Sequence, residues 1–297
     1  MSTVSRRAFG KFLREIRDGA KVSALSAGLH IETSKQTLLR LEEGIPTKIA
    51  TAQIGQLLDL YRVTPEVHAE ALRLWGEVRE QAKQDKLQGN SKGFWQPYTD
   101  QLASHFPHFL RLEAASNRAT AHQLVLVPGL LQTADYRRAL ARLEVPGLSA
   151  VNVERRIELA EKRQVRLTEG EFAMDALLSE AVLRHQPASP AVMAAQMRWL
   201  AEVGNRDNIS IRVVPFGAGP HRGLTIQSFH MLEFPCLESG LNEPTVVYLE
   251  GAVGALYHEQ PEVVARYQEA ISVLRAVALS EDDTRDMVLR VAKEYEA

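Results

Sequence analysis

The chain has 297 residues, of which 45% are hydrophobic and 24% charged, with a formal net charge of −2. Such a chain buries proper cores, as one large domain plus a small one or as two comparable domains, which excludes a disordered or fibrous protein. No apolar stretch reaches the ~20 residues of a membrane span, and the basic start MSTVSRRAF has no apolar run behind it, so a cytoplasmic protein is expected. The one cysteine, Cys236, can neither close an intrachain disulfide nor build a multi-cysteine zinc cage. In the run FHMLEFPCLE it reads as a small apolar filler, and neither metal nor cofactor is expected.

The charge is unevenly spread. Residues 1–62 carry ten Lys/Arg against six Asp/Glu, a net of +4, which leaves 25 basic and 31 acidic residues, a net of −6, for positions 63–297. A basic head on an acidic body fits a nucleic-acid-binding module joined to a separate regulatory domain.

In chain order, Ala8, Phe9, Phe12, Leu13 and Ile16 recur at helical spacing and predict a first helix over 6–17, with Arg7, Lys11, Arg14 and Arg17 on its other face. Two short helices follow, over 22–29 and 34–43, the second stopped by Gly44. A tight turn, His30-Ile31-Glu32-Thr33, joins them. The spacing of Ile54, Leu57, Leu58 and Tyr61 gives a fourth helix and residues 63–84 a fifth. Apolar periodicity then lapses in QAKQDKLQGNSKGFWQPY, which places the domain boundary within 81–98: a first domain over 1–88 and a second over 89–297.

In the second domain, helices are predicted over 104–117, 132–143, 152–166, 189–203, 261–278 and 281–295, the last capped by Ser280. Strands are predicted over 124–127, 172–176, 209–215, 225–234 and 244–249, where β-branched or alternating apolar residues lie between Gly, Pro and Asn. The fold class expected is α+β, an all-α five-helix unit followed by a larger mixed α/β domain.

The segment ALSAGLHIETSKQTLLRLE (24–42) fits a helix-turn-helix. Two steeply crossing helices leave room only for a small residue at their closest approach, and Gly28 falls there. With Leu38 and Leu41 packed inward, Lys35, Gln36, Leu39 and Arg40 point outward on a helix that fits the major groove of B-DNA. Gln36 can pair with adenine N6/N7, Lys35 can reach guanine O6/N7 or a phosphate, and Leu39 completes the base-facing set. Arg14, Arg17, Ser34, Thr37, Arg40 and Lys48 are phosphate-contact candidates, with Arg40 open between a phosphate and an ion pair to Glu43.

The string TSKQTLLRLEEG resembles the recognition-helix signature of XRE-family regulators, which implies a lambda-repressor-like fold for the head. Two positions depart from that signature: Glu32 stands where Gly is usual, and Thr33 where an apolar residue is usual. A left-handed Glu32 would cost on the order of 1 kcal/mol relative to Gly. Thr33-x-x-Gln36 is a capping-box pattern that would compensate.

The strings RLEAAS (111–116), LVPGLLQTADYRRAL (126–140), SEAVLR (179–184), VVPFGAGPHRG (213–223), VVYLEG (246–251) and LRAVALS (274–280) are similar to the antitoxin-like domain of actinobacterial, WhiJ-like XRE regulators. Together with the head, the resemblance covers about residues 5–295, and it implies a small acidic partner protein encoded nearby. The residues themselves say only that a strand ends at Pro128-Gly129 and that Thr133 or Asp135 favours a helix start.

Catalysis is not expected. His185, His221, His230 and His258, with Glu180 and Glu250, show no i, i+4 metal-binding pair, and the chain has no nucleophile elbow, P-loop or Rossmann glycine triplet. The Gly-rich GAVGA (251–255) lacks the spacing of such a motif. A ligand or partner loop formed by Phe216, His221 and Arg222, with Trp199, is the alternative effector site, and would make the chain a one-component sensor of a small molecule. The reading adopted is a DNA-binding regulator, a homodimer on a palindromic double-stranded operator, whose second domain binds a small partner protein, mediates dimerisation or both; a chain that is mainly a protein-interaction, antitoxin-like module is a further alternative.

Overall fold

The computed structural model describes residues 4–87, 94–236 and 243–297. Its chain forms two compact units. One comprises Met1–Gln96 with Phe234–Glu243, the other Pro97–Glu233 with Pro244–Ala297. The junction expected between 88 and 89 lies outside the described residues.

The first unit is five helices: α1 (Val4–Gly19), α2 (Ala24–His30), α3 (Lys35–Glu42), α4 (Thr51–Leu60) and α5 (Pro65–Leu87). Each contributes an apolar stripe to one core. Phe9 and Leu13 of α1 meet Ala27, Leu38 and Leu41 of the short helices, Ile54, Leu57 and Leu58 of α4, and Leu74, Trp75 and Val78 of α5. The Phe9 and Trp75 rings lie 5.1 Å apart. Burying each of these large side chains contributes roughly 1.5–3 kcal/mol, so the stripe, not helix propensity, holds helices as short as α2 and α3. Within the same unit the Arg7 guanidinium pairs with Glu243 at 2.7 Å.

The second unit is built on a six-stranded mixed sheet, in the order β3-β2-β1-β4-β5-β6. Its strands are β1 (Arg118–Gln123), β2 (Ala173–Ser179), β3 (Ile209–Val214), β4 (Phe229–Glu233), β5 (Val246–Gly251) and β6 (Gly254–His258). β1, β2 and β3 run parallel, β4 reverses against β1, and β4, β5 and β6 continue antiparallel. The helices are α6 (Phe106–Ala115), α7 (Ala134–Glu144), α8 (Ala150–Gln164), α9 (Glu180–Arg184), α10 (Pro190–Val203), α11 (Pro261–Val277) and α12 (Glu281–Glu296). α7 and α8 form the crossover from β1 to β2, and α9 and α10 that from β2 to β3, the connection parallel strands require.

Successive strand residues face opposite ways. Leu177, Phe229, Met231 and Val247 pack against Val264, Ile271 and Leu274 of α11. The outer edge of β3 is covered, with Val213 N donating to Thr284 Oγ1 at 3.0 Å and Val213 O accepting from Leu279 N at 2.8 Å. These contacts remove one free edge from the sheet.

Several expectations are corrected. The strand predicted over 124–127 is a bend, and the ladder lies just before it, in β1. Its sequence RATAHQ carries one β-branched residue, Thr120, and two alanines, a weak strand signal, although residues 119–122 are all buried. The α9 turn and strand β6 were not predicted; GAVGA is a β5–β6 hairpin, with Gly251 paired to Gly254. Cys236 is exposed rather than a buried filler, because β4 ends at Glu233 and the chain leaves the sheet there.

The string LVPGLLQTADY forms a buried connection rather than a strand. Its carbonyls are satisfied by amide side chains from the connection itself, from α8 and from α10. Gln132 Nε2 donates to Val127 O at 2.7 Å, Gln164 Nε2 to Gln132 O at 2.6 Å, and Gln196 Nε2 to Leu131 O at 2.8 Å. Thr133 then caps α7, its side chain accepting from Tyr136 N at 3.3 Å.

Candidate nucleic-acid interface

The turn between α2 and α3 follows from three local features. Ser23 caps α2, accepting from Ser26 N at 3.1 Å. Gly28 then passes so close to the next helix that a Cβ there would meet the carbonyl carbon of Ser34 at 3.1 Å and Lys35 N at 3.2 Å, as its place at the helix crossing requires. Glu32 takes the left-handed conformation, with φ of +53°. The strain attached to that departure is therefore present in the fold, on the order of 1 kcal/mol relative to Gly.

The compensating cap is Ser34, not Thr33. Helix α3 starts at Lys35, so the cap falls one residue later, and Ser34 Oγ accepts from Thr37 N at 3.1 Å. Thr33 N instead donates to Gly28 O at 2.9 Å, closing the turn. Gln53 of α4, which sequence reasoning missed, pins the same turn: its Nε2 donates to Ile31 O at 2.8 Å while its Oε1 accepts from Ala50 N at 2.9 Å. A Gln one turn into an ordinary helix carries no sequence signal of such a task.

On α3, Leu38, Leu41 and Glu42 are buried, while Lys35, Gln36 and Arg40 are exposed and Leu39 and Thr37 half-exposed. Arg40 makes no ion pair among the described residues, with Glu43 or any other carboxylate. Lys48 is exposed beyond α3, and Arg14 is exposed on α1, its Nε 3.7 Å from Asp18.

Arg17, expected at a phosphate, is a correction. It is 7% exposed, and its guanidinium grips Glu42 through Nε at 2.6 Å and Nη2 at 2.9 Å, with Nη1 donating to Val22 O at 3.0 Å. These hydrogen bonds hold Arg17 above its ordinary pKa and tie α1 to the end of α3. Helical spacing placed Arg17 on the polar face because Glu42, its buried partner, lies 25 residues away and is invisible to local periodicity.

The four residues of the alternative effector site are not brought together. Trp199 lies in the last turn of α10, with the Arg206 guanidinium 5.8 Å from its ring, at the amino-terminal edge of the parallel strands. Phe216, His221 and Arg222 lie in the loop after β3, at the opposite edge. There Phe216 is 67% exposed, its N–H donating to Glu180 at 2.9 Å, and Arg222 pairs with Glu269 at 3.1 Å. Among the described residues no three His, Cys, Asp or Glu side chains are grouped to hold a metal ion, and no helix is long and apolar enough to cross a membrane.

The fold defines a two-unit α+β protein, a five-helix unit with an exposed polar helix face joined to a mixed-sheet domain. This chain belongs to the family described as "Domain of unknown function (DUF5753)", whose profile matches residues 106–290, from the first residue of α6 into α12. No curated protein and no solved structure matches the chain.

Proposed function

We propose that this protein is a sequence-specific DNA-binding transcriptional regulator of the XRE type, working in the cytoplasm as a homodimer on a palindromic operator. The observation that carries this reading is the exposed face of α3. Lys35, Gln36 and Arg40 stand clear of a helix whose other side is locked into the core by Leu38, Leu41 and Glu42. Such a face presents an amide and two cations to a groove, with Gln36 and Lys35 suited to base edges. Arg14, Arg40 and Lys48, exposed on the same unit, supply sequence-independent phosphate attraction.

The sheet unit, in this reading, binds a small acidic partner protein, mediates dimerisation, or does both. A second reading, a one-component sensor of a small molecule, is favoured by an arginine-lined cleft in the sheet unit.

Selection of DNA from a random duplex library by the full chain tests the proposal. A two-fold symmetric site is expected, with half-sites about one helical turn apart. Gln36→Ala should relax preference at one position per half-site by roughly 1–3 kcal/mol. Failure of well-folded protein to enrich any sequence, with or without the product of the neighbouring small gene, would remove this reading.

A further inference from the structure

The amino-terminal ends of β1, β2 and β3 open into a cleft of about 650 Å³, lined only by residues of the sheet unit. Small-molecule sites commonly span about 300–1,000 Å³. Five arginines converge on it from separate elements: Arg118 at the start of β1, Arg206 in the loop before β3, Arg212 on β3, Arg275 in the last turn of α11 and Arg285 on α12. Three carboxylates, on Asp175, Asp207 and Glu281, line the same cleft, and Asp282 beside it takes Arg285 Nη1 at 2.8 Å, so what the cleft offers is guanidinium donors rather than a large net charge.

The arginines are held in place without all their donors being used. Arg275 is fixed by Asp175, a carboxylate on β2 that is 6% exposed, with Nε donating to Oδ2 at 2.8 Å. Arg206 lies over Trp199. Arg118 and Arg212 stand 3.9 and 3.8 Å from Glu233 and Glu281, close enough for attraction and too far for a hydrogen bond. Their planar forks therefore keep donors for a ligand, and guanidinium forks match the oxygens of phosphate bidentately. The cavity is several times larger than one phosphate group, which leaves room for an organic remainder.

We propose that this cleft binds a small organic phosphate, its phosphoryl oxygens taken by Arg118, Arg206 and Arg212. The proposal does not depend on DNA binding, since every lining residue belongs to the sheet unit.

Calorimetric titration of the full chain at fixed ionic strength, with ribose 5-phosphate, glucose 6-phosphate, AMP and inorganic phosphate as probes and sulfate as control, tests it. Saturable one-to-one binding of at least one ester is expected, tighter than inorganic phosphate or sulfate. The Arg118→Gln/Arg212→Gln double variant should weaken it tenfold or more with unchanged circular dichroism and melting temperature. Arg206→Gln provides a second variant should the double variant fail to fold. Absence of saturable binding by all three esters, equal binding of inorganic phosphate and every ester, or binding untouched in folded variants would overturn the proposal and leave the DNA-binding reading where it stands.

Discussion

Arg14 and Arg17 stand three residues apart on α1, and their environments set them opposite tasks. Arg17 is enclosed with Glu42, whose side chain is 1% exposed. Removing one member of a buried pair leaves the other charge without its partner, so Arg17→Ala should destabilise the helical unit by on the order of 3 kcal/mol, read as a lower melting temperature. Arg14→Ala, on an exposed side chain 3.7 Å from Asp18, should leave stability unchanged while weakening binding to all DNA sequences evenly and flattening its salt dependence. Equal stability of the two variants would contradict this division.

A pH effect belongs to the same scale. Desolvation lowers the His230 pKa to about 4, and the neutral ring lies 3.1 Å from Gln123 Nε2 and edge-on to Phe109. Its folded value is below the unfolded value of about 6.5, so the unfolded state binds more protons between the two. Stability from this group is full above pH 6.5 and is lost as pH falls towards about 4. Urea melts of the wild type and of His230→Phe across that window should show a shallower pH slope for the variant. Parallel slopes would rule out His230 as a contributor.

At the scale of elements, the α2–α3 turn is held by opposing demands. Gly28 admits the close crossing, whereas Glu32 holds a positive φ that a side chain resists. Glu32→Gly should therefore raise stability by up to about 1 kcal/mol, less the extra freedom glycine gives the unfolded chain. Gly28→Val should lower it by about 1–3 kcal/mol, because the backbone of Ser34 and Lys35 has to move. Thermal melts of both variants check the pair, and a destabilised Glu32→Gly would mean that the Glu32 side chain makes a compensating contact. Existence and order of α1 to α5 were legible because each carries an apolar stripe at helical spacing, and Gly44, with φ of +70°, closes α3 as expected. The cap at Ser34 was misplaced by one residue because Thr33 and Ser34 offer the same chemistry, and only the backbone path chooses between them.

Across the whole molecule, local pattern and long-range pairing divide the account. The α+β class, the helical head and most strands of the sheet unit follow from periods of 3.6 and 2 in the sequence, and the exposed face of α3 follows from the burial of Leu38 and Leu41. Strand β1 was displaced because RATAHQ offers a single β-branched residue and two alanines, which are depleted in strands. The glutamines 132, 164 and 196 could not be read as a set, since the first lies in the buried connection and the other two reach it from α8 and α10. The same holds for the grouping of segment 234–243 with the helical unit and for the convergence of five arginines on the strand ends. The sequence by itself determined which residues turn inward and which outward, because that depends on spacing along one element. Only the tertiary structure decided which distant charges meet, burying Arg17 and leaving Arg40 in solvent, because ion pairs and clefts form between elements whose separation in the chain carries no trace of their approach.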